Sequence, residues 1–261
     1  MAHRVAIAAI GLGGHAGTSS ALVFGQDNRL LVGNASNSAY APIGIVYNLP
    51  AASYATAFMV GDCYAVTVRH AFEPGAALIG SRVKFAAGIS ADLKGWETTD
   101  AQIVAMGRRT TADEPSGNSD WALLRLSRCL GKKFGFALLS DRPIDQSRPF
   151  ELAGFPSDRQ LSGGLTVDPR CHVREFRGEL ALHDCATQPG NSGSPIFRIV
   201  RVDGMNRLEV VAMKVQGFSY GVPGATLTQP VTKYYSSYAS VAVTSVTLRN
   251  GVEGVLNRSR N

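Results

Sequence analysis

The sequence of 261 residues holds little charge, few aromatic residues, few cysteines and no long apolar run. Charged residues make up 18% of it and hydrophobic residues 45%, a balance that excludes a disordered, self-repelling chain. Beyond the N-terminal region, no stretch approaches the roughly 20 consecutive apolar residues that a membrane-spanning helix needs, so no membrane anchor is expected. Neither internal repeats nor a low-complexity linker divides the chain. The formal net charge is +6, but the basic residues are scattered, with only short pairs such as Arg108-Arg109 and Lys132-Lys133. Without a recognition helix or an aromatic-basic motif, that charge reads as a solvated surface, and nucleic acid is not an expected partner. The four cysteines form no C-x-x-C pair, which argues against zinc and redox motifs.

What the chain does have is glycine, 28 residues of it, placed with Pro, Asn and Ser between short β-rich runs. That punctuation points to an all-β protein with many turns. Six runs, Ile43–Tyr47, Thr56–Val60, Cys63–Val68, Val83–Ala87, Ala101–Met106 and Trp121–Leu126, suffice for a first antiparallel barrel over about 40–130. A crossover over Arg128–Pro149 leads to a second series over about 145–230: Phe150–Ala153, Leu165–Glu175, Glu179–Asp184, Gly193–Arg201, Leu208–Val215 and Gly224–Thr228. A short C-terminal helix is expected over Val231–Val241, where Tyr234, Tyr235 and Tyr238 have helical spacing for packing. At the other end, a positive start, an apolar core over Val5–Leu12 and the small residues Ser19-Ser20-Ala21 read as a signal peptide over 1–22, with the working domain over 23–261.

Three blocks carry chemistry. Gln188-Pro-Gly-Asn-Ser-Gly-Ser-Pro195 frames a serine in a tight turn, where glycine at 190 lets two backbone N–H groups face one point and Gly193 lets a substrate backbone approach. Thr67-Val-Arg-His-Ala71 places His70 directly after an apolar strand. Asn118-Ser-Asp-Trp121 places Asp120 at the mouth of a buried strand. A serine nucleophile needs a base for its proton and a buried acid to hold that base in one tautomer, and the three residue types supply that set.

In the order His70, Asp120, Ser192 these blocks resemble those of the trypsin-like serine protease superfamily, specifically its bacterial glutamyl-endopeptidase-like branch; Val23-Phe-Gly-Gln-Asp-Asn-Arg29 is also similar to the start of mature enzymes there. The resemblance implies two six-stranded chymotrypsin-like barrels with the triad in the cleft between them, and an oxyanion hole from the amides of Gly190 and Ser192. It implies a secreted or periplasmic, monomeric endopeptidase acting on protein or peptide substrates without cofactor or metal. A catalytically silent binding module on the same fold is the alternative. Asn191 stands where animal digestive relatives carry an aspartate that receives a newly freed N-terminus, so activation by that ion pair is not expected.

An even cysteine count in an exported chain favours two disulfides, with three possible connectivities. Residue numbers of facing positions have a constant sum along an antiparallel ladder. If His70 lies near Asp120, Cys63 and Cys129 fall within two of the same sum and meet at the far end of that ladder. Cys171 and Cys185 flank Gly178 symmetrically, as in a hairpin. The expected bridges are therefore Cys63–Cys129 and Cys171–Cys185.

By the same resemblance, Ala186, Thr187, Lys214 and Val215 line the pocket for the residue before the scissile bond. Ala186 stands where cleavage after Lys or Arg would need an acid, which disfavours that specificity. Thr187 matches a threonine that holds a substrate carboxylate in the glutamyl endopeptidases, and Lys214 replaces their histidine. The lysine either serves as a cationic partner for Glu or Asp or points outward as a solvated strand residue. His172 and His183 are placed near each other on the Gly178 hairpin, where surface imidazoles are expected rather than a metal site.

Overall fold

The structure is a computed structural model that describes residues 23–36, 38–48, 53–73, 78–89, 95–107, 119–158, 164–217 and 233–258. The signal-peptide reading, Asn118 and the expected strand Gly224–Thr228 lie outside them. After β1 (Leu30–Leu31), the segments β2 (Ile43–Asn48), β3 (Ser53–Gly61), β4 (Tyr64–Thr67), β5 (Arg82–Ala87), β6 (Glu97–Met106) and β7 (Ala122–Leu126) form where β-branched and aromatic residues recur between turns. In β6 the burial alternates, with Thr99, Ala101 and Ile103 inward and Thr98, Asp100 and Gln102 outward. β2 to β7 close into a barrel in the order β2-β3-β4-β7-β6-β5, which leaves no unpaired edge. Phe85, Ile103 and Leu124 lie on its inner face with no exposure, and Phe58 and Leu123, on the opposite face of their strands, are buried as well.

A short helix, α1 (Gly131–Phe134), leads to β8 (Leu138–Leu139), β9 (Phe150–Gly154), β10 (Thr166–Cys171), β11 (Val173–Arg177), β12 (Leu180–His183), β13 (Pro195–Val202), β14 (Met205–Gln216) and β15 (Ser240–Thr244). These make a second, antiparallel sheet in the order β1-β10-β9-β13-β14-β15-β12-β11, with β8 added in parallel to β14, and it curls into a half-barrel. The β11–β12 hairpin turns at Gly178, whose φ of 60° lies in the region glycine tolerates best. The structure holds Cys63–Cys129 and Cys171–Cys185 as disulfides.

The C-terminal helix is present, but further along than Val231–Val241. Ser236–Tyr238 is a single 3-10 turn, and Ser240–Thr244 is β15, whose Val241 and Val243 pair with both β12 and β14. The second sheet thus extends past residue 230. The helix, α2 (Ser245–Arg258), buries Leu248 and Val252, spaced i, i+4, in the same core as Trp121. A side chain at Gly251 would run into the Trp121 ring, so glycine there lets the helix lie close beside the residue that follows Asp120.

Candidate active site

Thr67 at the end of β4 faces Ala122 at the start of β7. The chain leaving β4 and the chain entering β7 therefore meet at one end of the barrel, and these are the segments that carry His70 and Asp120. His70 sits in a 3-10 turn over Arg69–Phe72. Asp120 Oδ1 accepts from the His70 backbone N–H at 2.9 Å, and Oδ2 pairs with the ring Nδ1 at 2.6 Å. A carboxylate on Nδ1 keeps the proton there, so Nε2 is the nitrogen with a lone pair to accept another.

The serine loop is held from both barrels. From β3, the Thr56 N–H donates to Ser192 O at 2.9 Å and to Gly190 O at 3.2 Å, and Thr56 Oγ1 donates to Gly190 O at 2.8 Å. From β14, Lys214 O accepts from Gly193 N–H at 2.8 Å, and Lys214 N–H donates to Ser194 O at 2.9 Å. Gly193 has φ of 86° and lies so close to Thr56 O that no side chain fits. Inside the loop, buried Asn191 accepts from Gln188 N–H through Oδ1 at 3.0 Å and donates from Nδ2 to Ser194 Oγ at 3.3 Å. A neutral side chain thus satisfies the loop from within.

Pro189 O accepts from Ser157 N–H at 2.7 Å. In a trans peptide the carbonyl and the following N–H point in opposite directions, so this bond turns the Gly190 N–H away from Ser157. Among the described residues neither the Gly190 nor the Ser192 N–H has an acceptor. Two free amides flanking a serine are suited to an oxyanion.

Lys214 is 2% exposed and points inward, not to solvent. Its Nζ donates to Ser192 Oγ at 3.3 Å, and among the described residues no carboxylate pairs with it. Burial pushes the ammonium pKa down to about 8, opposed by the field of Asp120. No hydrogen bond joins His70 Nε2 to Ser192 Oγ, as is common before substrate arrives.

Ala186 and Thr187 are buried, as is Val215, the next residue of this lysine's strand. The Thr187 and Ser240 hydroxyls bond each other at 2.9 Å. Two features escape the sequence reading. Asp168, a buried acid on β10, accepts from Ala186 N–H at 2.7 Å and from Arg170 N–H at 3.2 Å; desolvation raises its pKa. It fastens the backbone at Ala186, and its place in an otherwise buried strand start is the only signal it gives. His183 is not a surface imidazole: it is fully buried, faces Val173 rather than His172 across the hairpin, and has no partner for either ring nitrogen among the described residues. Burial, with the charge of Lys214 added, lowers its pKa to about 3.

No family model and no curated protein sequence matches the chain. Solved structures do match. A Glu endopeptidase in complex with MPD superposes with a TM-score of 0.65 at 16% identity, covering 92% of this chain and all of that one. Neuropsin, a serine protease of mouse brain, gives 0.58 at 13% identity, covering 87% of this chain and all of that one. The inactive form of the Rv3671c protease gives 0.52 at 14% identity, with 83% and 90% covered. Backbone likeness over nearly the whole of each, with the barrel order described above, means that this chain has the two-barrel fold of the trypsin-like serine proteases.

Proposed function

We propose that the protein is a serine endopeptidase with Ser192 as nucleophile, His70 as general base and Asp120 as the group that orients and stabilises the imidazolium. The observation that carries this reading is the pair of hydrogen bonds from the His70 ring and backbone to Asp120, together with a Ser192 loop whose Gly190 and Ser192 amides have no acceptor among the described residues. In the reaction His70 Nε2 takes the Ser192 hydroxyl proton as Oγ bonds to the substrate carbonyl carbon. The carbonyl oxygen becomes an oxyanion held by the Gly190 and Ser192 N–H groups. Collapse expels the amine, which receives the proton from His70, and leaves an acyl-enzyme. Water, deprotonated by the same imidazole, then releases the acid and restores Ser192.

The finer reading is a preference for Glu or Asp before the scissile bond. A buried ammonium with no carboxylate partner among the described residues, set beside Ala186 and Thr187, supports it. The two disulfides accord with work in an oxidising compartment, secreted or periplasmic. The test is a peptide library digested by the folded protein and read by mass spectrometry. Cleavage is expected after acidic residues, with at least about a thousandfold loss of kcat/KM in Ser192→Ala and in His70→Ala. Undiminished cleavage by Ser192→Ala would overturn the mechanism, and cleavage after Lys or Arg would overturn the specificity.

A further inference from the structure

Ser192 Oγ is hydrogen-bonded in this structure, but to Lys214 Nζ rather than to His70. The two candidate partners come from different barrels: His70 follows β4, and Lys214 lies in β14. An ammonium that donates to a hydroxyl occupies one of its lone pairs and orients the oxygen toward itself. Both effects oppose attack on a carbonyl, which needs that lone pair free and the hydroxyl hydrogen turned to the base.

The ammonium is also poorly served. It is buried, and its polar partner is a neutral hydroxyl. The acid whose charge reaches it, Asp120, is committed elsewhere and holds His70 through both oxygens. His183 is neutral at ordinary pH and offers no negative charge. A desolvated cation in that position has a strong preference for any anion that can reach it.

We infer that Lys214 is a latch on the nucleophile that the substrate itself releases. This inference rests on the serine-protease reading above. In the empty site Nζ holds Ser192 Oγ. A Glu or Asp side chain entering the pocket draws Nζ onto its carboxylate, and the freed hydroxyl turns to His70 Nε2. No covalent bond changes in this step; one hydrogen bond is exchanged for an ion pair. Recognition of the acid and release of the nucleophile become one event, so an acidic residue before the scissile bond raises kcat and does not merely lower KM.

Diisopropyl fluorophosphate tests this, because it phosphorylates an active serine without placing a side chain in the pocket. Propionate, which has the length of a Glu side chain, is the probe for the latch, and propionamide is its uncharged control. In the native protein propionate should speed labelling of Ser192 by about tenfold, the factor expected for losing one charge-assisted hydrogen bond, while propionamide does nothing. Lys214→Met should be labelled about tenfold faster than the native protein and be indifferent to propionate. Propionate that leaves native labelling unchanged or slows it overturns the latch, and this arm needs no variant to fold. So does a folded Lys214→Met labelled no faster than the native protein. Absence of any labelling of native, folded protein overturns the protease reading itself, a result separate from both.

Discussion

Asp120 accepts from two donors on one residue, and that leaves the His70 ring little freedom to turn. At the same scale Lys214 and His183 are buried basic side chains of the second sheet, and neither has an acid for a partner among the described residues. His183 carries a prediction with a definite sign. Its folded pKa, about 3, lies below the ordinary 6.5, so the folded state resists a proton that the unfolded chain accepts. Stability from this group is complete above pH 6.5 and drains away as pH falls toward 3. At pH 4 the loss is about 3 kcal/mol. Urea unfolding at pH 7 and pH 4 should show a smaller difference in His183→Leu than in the native protein, and an equal difference would contradict the assignment. Both residues were hard to read from sequence for one reason. Period-two alternation assigns one face of a strand to solvent, but β12 is buried at all four positions and β14 is buried throughout Val210–Val215. A lone lysine or histidine in such a strand has no outward face to occupy.

At the scale of elements, β3 does more than close the first barrel: through Thr56 it grips the nucleophile loop of the second. Thr56 Oγ1 donates to Gly190 O at 2.8 Å and accepts from Phe155 N–H at 3.1 Å. Thr56→Val keeps the shape, leaves the Phe155 N–H without its acceptor and leaves Gly190 O only the 3.2 Å bond from the Thr56 N–H. It should cost about 2 kcal/mol of stability and, with Gly190 as an oxyanion donor in the proposed mechanism, lower kcat more than KM. A variant with native kcat and a raised KM would contradict that role. The strand's part in the barrel was legible, since Thr56–Val60 is an apolar run before a Gly-Asp turn; its grip on the loop was not, because that contact joins residues far apart in sequence. The C-terminal helix shows the opposite failure. Ser, Thr, Val and Gly are weak helix formers, so propensity placed no helix over Ser245–Arg258, and only the pair Leu248 and Val252 marked its buried face.

For the whole molecule, two disulfides and the hydrogen bonds that join β3 to the Ser192 loop tie the described parts together. Cys63–Cys129 spans 66 residues and ties β4 to the end of the β7 segment; Cys171–Cys185 spans 14 and ties the hairpin base. Loop-closure entropy assigns them about 4 and about 3 kcal/mol. Replacing Cys63 and Cys129 together by Ala should lower the urea midpoint more than replacing Cys171 and Cys185; the reverse order would mean that native contacts, not chain entropy, dominate. The fold was legible at this scale because alternation, turn residues and cysteine register all pointed to the same two barrels, whereas the substrate was legible only as a choice between orientations of one lysine. The loop around Ser192 is satisfied internally by Asn191 and externally by Thr56 and Lys214. The proposed function requires that Ser192 be chemically competent in the folded, disulfide-bonded protein. A biotinylated fluorophosphonate followed by peptide mapping measures that directly. One adduct per chain is expected, on Ser192, abolished by His70→Ala; a folded protein with no adduct, or with the adduct on another serine, would contradict the proposed function.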